Sequence, residues 1–187
     1  MRRLNAPPLL PLLLAAWTAC AAASPAAAAQ LTAWEIRVSS PAVLSGDFVF
    51  AGALEVRGVE MRPEGLFMPA EESGGRTYRD VKLLSRAAYS SLDAAFKKGA
   101  GAGGARKERG KLPWTIKGIR QLSGKFRKAN MDVDFDGDLL VTAGLMLSDR
   151  VGEEYWIAWP RSLVFLDKKL KKAVEKDLLQ KAAKEGL

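Results

Sequence analysis

The chain has 187 residues, of which 29 are basic and 21 acidic, and its net charge is +8; it contains no histidine and one cysteine. Without histidine it lacks the usual general base, the commonest metal ligand and the Ser-His and Cys-His nucleophile pairs. We therefore expect a protein that is not an enzyme and that needs no cofactor and no metal.

The first 29 residues are typical of a signal peptide. Two arginines follow the first methionine, an apolar core spans residues 9–16, and an A-x-A cleavage site ends at Ala29. That core is too short to span a bilayer, so we expect export to the periplasm or the medium after cleavage. Lipoprotein modification at Cys20 is the alternative, but Trp17 three positions upstream fits that signal poorly. Cleavage after Ala29 would remove Cys20, the one cysteine, so the mature chain would contain no disulfide.

The positive charge is concentrated in the middle of the chain. Residues 97–128 contain eleven basic residues and one acidic residue, whereas residues 129–160 contain seven acidic residues and one basic residue. A local excess of this size indicates a surface that attracts polyanions rather than a uniformly basic fold.

Residues 30–98 read as one α+β unit. Period-two alternation and turn residues predict four strands and then a helix over 86–98, with Ser85 as its N-cap and Tyr89, Leu92 and Phe96 as its buried stripe. The predicted strands are 32–38, 47–51, 54–61 and 66–68. Pro69 ends the last strand and a polar loop follows it over 71–79.

Residues 113–187 repeat this order after a linker, rich in Gly, Lys and Arg, over 99–112, whose Gly/Ala-rich start is typical of a flexible segment. Strands are predicted at 114–121, 130–136, 139–147 and 154–159, with a hairpin turn at Asp136-Gly137 and Pro160 after the fourth strand. A helix over 168–184 follows, with Asp167 as N-cap and Leu170, Val174 and Leu178 on its apolar face.

The two units also match in sequence. Residues 56–61 align with 141–146, and residues 65–69 align with 155–160 with one extra residue. We interpret this as a duplication, although any two α+β segments can share such an order. The predicted fold class is α+β, with two β-β-β-β-α repeats, each an antiparallel sheet covered on one face by its C-terminal helix.

The first unit resembles the stage V sporulation protein G (SpoVG) family of septation regulators. The resemblance lies in residues 48–50, 54–61, 65–69 and 75–80, which read as a hairpin, a Gly-Leu-Phe strand ending in Met-Pro, a Gly-bearing loop, and Tyr-Arg-Asp before a helix. The second repeat is more divergent. The resemblance implies small units that pair as dimers, bind nucleic acid and regulate septation and sporulation, so a tandem chain would form an intramolecular pseudo-dimer.

The candidate nucleic-acid or polyanion-binding residues are basic. Trp114 and Phe126 lie among them, and interleaved aromatic rings can stack on bases. Nine come from the basic segment, and the resemblance adds Arg76 and Arg79; the nine are Arg106, Lys107, Arg109, Lys111, Lys117, Arg120, Lys125, Arg127 and Lys128. The alternative is a solvated linker that runs into a strand whose aromatic residues face the core.

Three further patterns leave alternatives open. Residues 132–138 begin like a calcium loop but have Ala143 where a bidentate Glu is required, so we predict a strand that enters a turn. Trp156 and Trp159 suit core and inter-repeat packing better than a ligand platform. Finally, the export signal allows an envelope protein that reuses the same architecture to bind another protein or a polyanionic surface.

Overall fold

A computed structural model of the protein describes residues 31–105, 111–149 and 154–187. The predicted signal peptide and part of the predicted linker lie outside these ranges. In the described residues the fold is mixed α+β, with thirteen strands and two helices. All the strand pairs are antiparallel.

The first half contains seven strands and a helix, and an eighth strand follows the helix. They are β1 (Leu31–Ser40), β2 (Val43–Phe50), β3 (Leu54–Arg62), β4 (Gly65–Phe67), β5 (Glu71–Ser73), β6 (Arg76–Tyr78), β7 (Val81–Leu83), α1 (Arg86–Phe96) and β8 (Gly101–Gly104).

The second half contains five strands and a helix. They are β9 (Trp114–Gln121), β10 (Arg127–Phe135), β11 (Leu139–Leu147), β12 (Tyr155–Ala158), β13 (Leu163–Phe165) and α2 (Lys168–Lys184).

The strands form two main sheets and one small hairpin. The first sheet has the order β13-β3-β2-β1-β8, with β4 also paired to β3; the second has the order β12-β11-β10-β9, with β7 also paired to β11. Strands β5 and β6 pair only with each other. The predicted strands are present with shifted ends, but the predicted order of four strands and a helix in each half is incomplete. β7 and β13 were not predicted, and the predicted polar loop over 71–79 contains the β5–β6 hairpin.

The two halves exchange a strand. β7 belongs to the first half but pairs with β11 of the second sheet, where Val81 lies opposite Val141. β13 belongs to the second half but pairs with β3 of the first sheet, where Leu163 lies opposite Val56. Each sheet is thus completed by three residues from the other half of the chain.

Matching backbone hydrogen bonds flank the two exchanged strands. In both halves one bond precedes the exchanged strand and one follows it. The bonds are Thr142 N to Asp80 O (2.7 Å) and Leu84 N to Asp138 O (2.8 Å) around β7, and Arg57 N to Ser162 O (2.8 Å) and Leu166 N to Ala53 O (2.9 Å) around β13.

Each exchanged strand leads into a helix, and both predicted N-caps are confirmed. The Ser85 side chain accepts a hydrogen bond from Ala88 N, and the Asp167 side chain accepts from Lys169 N. Ser85 Oγ also donates to Asp138, so the first cap is tied to the hairpin of the other half. These side chains satisfy amide groups that would otherwise have no partner in the first turn.

Each helix packs on the sheet of its own half: α1 on β1 and β2, and α2 on β9 and β12. The predicted stripe of α2 is buried. In α1 the prediction is wrong at Tyr89, which is 43% exposed; Ala88 takes its place in the buried stripe with Leu92 and Phe96. The Tyr89 hydroxyl group lies instead near Gly65, the first residue of β4.

Both sheets and both helices share one continuous hydrophobic core. Phe135 of the second sheet contacts Phe165 of β13 (ring centroids 6.2 Å apart), while Phe48 contacts Phe96 of α1 (5.2 Å). The Phe135–Phe165 contact therefore joins the two sheets, because β13 lies in the first sheet and β10 in the second.

Tight turns at matching places shape the two central hairpins. Ala51 and Gly52 connect β2 to β3, and Asp136 and Gly137 connect β10 to β11; all four have positive φ angles. Two consecutive residues of this kind give a turn whose twist matches that of the strands. The hairpin predicted at Asp136-Gly137 is confirmed.

Residues 101–104 correct the expectation of a flexible linker. They form β8, which pairs along β1 with Trp34 opposite Gly103. A Cβ atom on Gly103 would lie 2.6 Å from the Trp34 ring, so glycine here allows an indole to lie against the backbone. The small residues thus serve a close approach between strands.

We expect the strand exchange to make the two halves unfold as one unit. Leu163→Ala removes a buried side chain from β13 and should lower the free energy of unfolding by about 2–5 kcal/mol. The loss should appear in a single urea transition, observed by both far-UV circular dichroism and tryptophan fluorescence. Leu166→Ala, just after the strand and 36% exposed, is the control, with an effect within about 0.5 kcal/mol. Two separate transitions would contradict the prediction.

Candidate functional site

The structure separates the predicted basic residues into two groups. Arg76 lies on β6 and Arg79 follows it, whereas five others lie on the β9–β10 hairpin, and Lys111 is exposed ahead of β9. Those five are Lys117, Arg120, Lys125, Arg127 and Lys128. Arg106, Lys107 and Arg109 lie outside the described residues.

The β9–β10 loop holds an exposed aromatic ring next to a cation. Two backbone bonds fix the loop, from Leu122 N to Lys128 O (2.7 Å) and from Leu147 N to Phe126 O (2.8 Å). Phe126 is nevertheless 62% exposed, and Lys125 Nζ lies 5.3 Å from the centre of its ring. The alternative in which this ring faces the core is therefore wrong for Phe126.

Alternation along β10 divides its side chains between the two faces of the sheet. Met131, Val133 and Phe135 are buried in the core. Asn130 has the opposite parity and lies beside Arg120 of β9 and Gly144 of β11. The face of the sheet away from the core is thus polar, and it carries basic side chains from both strands of the β9–β10 hairpin.

Arg127 lies flat on this outer face because Gly144 has no side chain. A Cβ atom on Gly144 would be 2.9 Å from Arg127 Nε and 3.1 Å from Cζ. Arg127 Nε and Asn130 Oδ1 are both buried and have no hydrogen-bond partner within the described part of the chain. One unpaired donor and one unpaired acceptor therefore lie on neighbouring positions of the sheet.

Trp156 extends the same row of residues. Met146 lies opposite Arg127 on one side and Trp156 on the other, and Trp156 is 47% exposed. We expected Trp156 and Trp159 to serve core packing. That holds for Trp159, which packs against the ring of Phe165 at 4.8 Å, and not for Trp156, whose ring is available at the surface.

The acidic residues of the hairpin are engaged by neighbours. Thr142 Oγ1 donates to Asp132 (2.7 Å), and Lys117 Nζ pairs with Asp134 at 2.9 Å. Asp134 also accepts from the backbone N–H of Gly137 at 2.8 Å. No group of three or more metal-ligating residues occurs within residues 31–105, 111–149 and 154–187. The predicted strand that enters a turn is confirmed.

Four cations of the hairpin lack acidic partners. Among the described residues, no carboxylate lies within ion-pair distance of Arg120, Lys125, Arg127 or Lys128. We call these four residues, with Phe126 and Trp156, the basic face. It combines unpaired positive charge with two exposed aromatic rings, which is the composition of surfaces that bind single-stranded nucleic acid.

Asp80 is the carboxyl group that limits the charge of this face. It precedes β7, and burial raises the pKa of its carboxyl above the ordinary value of 3.8, while the Arg127 charge opposes that rise. Glu71 and Asp132 raise the pKa further through like-charge repulsion. Burial therefore affects this carboxyl group more than its attraction to Arg127 does.

Comparison with known proteins identifies no relative: no family model, no curated protein and no solved structure matches the chain. Neither α1 nor α2 is long and apolar enough to cross a membrane, and the described residues contain no other helix.

Sequence reasoning found the cations of the basic face but missed Asn130 and the exposed position of Trp156. The alternation of Met131, Val133 and Phe135 places Asn130 on the outer face, so that residue was within reach of the pattern. The register that brings Trp156 to the row of Arg127 depends on pairing between β11 and β12, which local sequence does not specify.

We expect Asp80→Asn to stabilise the protein more at neutral than at acidic pH. Because the folded state holds the Asp80 proton more tightly than the unfolded state, wild-type stability falls as pH rises from below 3.8 through the raised pKa. The substitution removes this loss and keeps the backbone carbonyl that accepts from Thr142. Urea unfolding at acidic and neutral pH measures the effect, with exposed Asp149→Asn as control. An equal change at both pH values would contradict the prediction.

Proposed function

We propose that this protein is a non-enzymatic binding protein that holds a polyanion, in the first place single-stranded nucleic acid, on the basic face. The observation that carries the proposal is a set of four cations, near exposed Phe126 and Trp156, that have no carboxylate partner within the described part of the chain. Cations bind the phosphate backbone, and aromatic rings stack on bases whatever their sequence.

Buried polar atoms beside these rings support the proposal. Arg127 Nε and Asn130 Oδ1 have no partner within the described residues, and an unpaired buried polar atom costs free energy. A nucleotide offers both a donor and an acceptor on the edge of its base, and phosphate offers an acceptor for the guanidinium. Because both atoms are shielded from solvent in the free protein, a nucleotide would reach them only after the Arg127 side chain moves, and binding would then relieve this cost.

We further propose that the chain is an intramolecular pseudo-dimer of two repeats, as the resemblance to the SpoVG family implies. Three observations support this: the reciprocal exchange of β7 and β13, the matching hydrogen bonds around them, and the equal distance along the chain from each exchanged strand to its helix cap. On this proposal the second repeat carries the basic face, and the regulatory role of the family would act through it.

An exported envelope protein is the second candidate, and the N-terminal sequence favours it. The apolar stretch at 9–16 and the A-x-A site at 27–29 are signal-peptide features. The residues that follow Met68-Pro69 include Glu71 and Glu72, which would repel phosphate. Outside the cytoplasm the same basic face would meet anionic headgroups, cell-wall polymers or another protein.

Binding to an oligonucleotide should depend steeply on salt and on the basic face. Fluorescence anisotropy with a single-stranded oligonucleotide of about 12 nucleotides would measure it over a range of salt concentrations. Arg120→Gln with Lys125→Gln should weaken binding by about tenfold at low salt and lower the salt slope by about 1 per lost contact.

The matched control is Lys172→Gln with Lys176→Gln on the exposed side of α2, which changes net charge equally and should leave affinity within about twofold. Binding that is insensitive to salt, or equal loss in both double variants, would reject the basic face as the site.

Gly144→Ala tests the position of Arg127 without removing its charge. The new Cβ would displace the guanidinium, since the two would be 2.9 Å apart, and oligonucleotide affinity should fall by about threefold to tenfold. Gly118→Ala is the control, because its Cβ would meet nothing within 4 Å. The same affinity in both variants would contradict a role for the position of Arg127.

Cell fractionation separates the two candidate functions. Recovery of the full chain in the cytoplasm supports nucleic acid as the ligand. Recovery of a processed chain from the periplasm or medium supports an envelope role and would require the binding assay to be repeated with lipopolysaccharide or anionic vesicles.

A further inference from the structure

A groove of about 880 Å³ opens in the first half of the molecule, and none of its lining residues belongs to the basic face. Its sides are β4 with the residues that follow it, and β7 with the start of α1. The apolar part of its lining includes Leu66, Phe67, Met68, Leu83 and Tyr89. This volume lies within the range of sites that enclose small organic molecules.

The matching place in the second half is filled. There Trp159, which follows β12 as Met68 follows β4, packs on Phe165 with ring centroids 4.8 Å apart. Its Nε1 donates to Glu175 of α2 at 2.9 Å. Phe165 holds the register position that Leu83 has in the first half. One half therefore closes this space with its own indole, and the other half leaves it open.

An added hairpin forms one wall of the open groove. Ten residues, 70–79, separate Pro69 from Asp80, whereas Arg161 alone separates Pro160 from Ser162. The added residues form β5 and β6, and Ala70, Glu72, Thr77 and Arg79 line the groove. Because Glu71 Oε1 accepts from Arg161 N at 2.5 Å, the hairpin is also fixed to the second half.

The charges that line the groove leave two cations without partners. Arg62 is held by Glu60 at 2.6 Å and lies 4.9 Å from the centre of the Phe67 ring. Arg79 and Lys82 have no ion-pair partner among the residues that the structure describes, and Glu72 is the other carboxylate in the lining. The net charge of the lining is therefore +1, next to an apolar floor.

We propose that this groove binds a small amphiphilic anion, an organic carboxylate or sulfonate with an aromatic or aliphatic body. The body lies on Leu66, Phe67 and Tyr89 in the space that Trp159 fills in the other half. The anionic group is held by Arg79 and Lys82 at the rim. The geometry assigns the first half a ligand site that shares no residue with the basic face.

Two dyes that differ in one anionic group test the proposal on the full chain. 1-Anilinonaphthalene-8-sulfonate should bind with one site per chain, and its neutral analogue N-phenyl-1-naphthylamine should bind about tenfold more weakly, since charge-assisted contacts are lost. Decanoate should displace the sulfonate dye, and 1-decanol should not.

Substitutions test whether the dye binds in the groove. Arg79→Gln with Lys82→Gln should weaken the sulfonate dye by about tenfold and leave the neutral dye unchanged, while Ala70→Trp should block both dyes. Arg161→Gln with Lys168→Gln is the matched control, because it removes the same charge from exposed positions of the half whose groove is filled. Arg120→Gln with Lys125→Gln shows whether the dye uses the basic face instead.

Amide chemical shifts of the wild-type chain locate the bound dye without any substitution. Saturation with the sulfonate dye should move the signals of residues 66–70 and 79–83. Equal affinity for the two dyes would overturn the proposal in favour of an apolar occupant. Absence of binding, or loss only in the basic-face variant, would also overturn it.

Discussion

The reciprocal exchange of two three-residue strands is the interaction on which the rest of this structure depends. A strand of three residues cannot form a stable sheet alone; β7 and β13 persist because each completes the sheet of the other half and carries buried Val81 or Leu163 into it. Each strand then leads directly into a capped helix that returns to its own sheet. Separating the halves would expose two sheet edges and divide one continuous core.

The two halves differ in the regions around the exchanged strands. In the second half, the Trp159 side chain donates to Glu175 of α2, and the outer face of β10 and β11 carries Arg127 against Gly144, with Trp156 at the rim. In the first half, the added hairpin and the exchanged strand β7 both line the open groove. The two proposed sites therefore use different elements, and the strand exchange supplies a wall of one of them.

Charge placement distinguishes the two proposed sites. Lys117 pairs with Asp134, whereas Asp132 accepts a hydrogen bond from Thr142 and keeps its negative charge; neither carboxylate lies within ion-pair distance of the four cations of the basic face. Burial raises the pKa of Asp80, and the attraction of Arg127 opposes that rise. Within the described residues, the groove cations Arg79 and Lys82 have no ion-pair partner and lie near apolar rings, which suits a compact anion better than a polymer.

Local patterns predicted eight of the thirteen described strands from alternation, the β10–β11 hairpin from Asp136-Gly137, the starts of both helices from Ser85 and Asp167, and the basic segment from composition. These signals are local, since capping and turn formation involve residues a few positions apart. Only the tertiary structure decided the exchange of β7 and β13, the pairing of β8 with β1, the exposure of Tyr89 and Trp156, and the groove. These features arise from contacts between segments far apart in the chain. Neither the spacing of apolar residues nor secondary-structure propensity encodes such contacts.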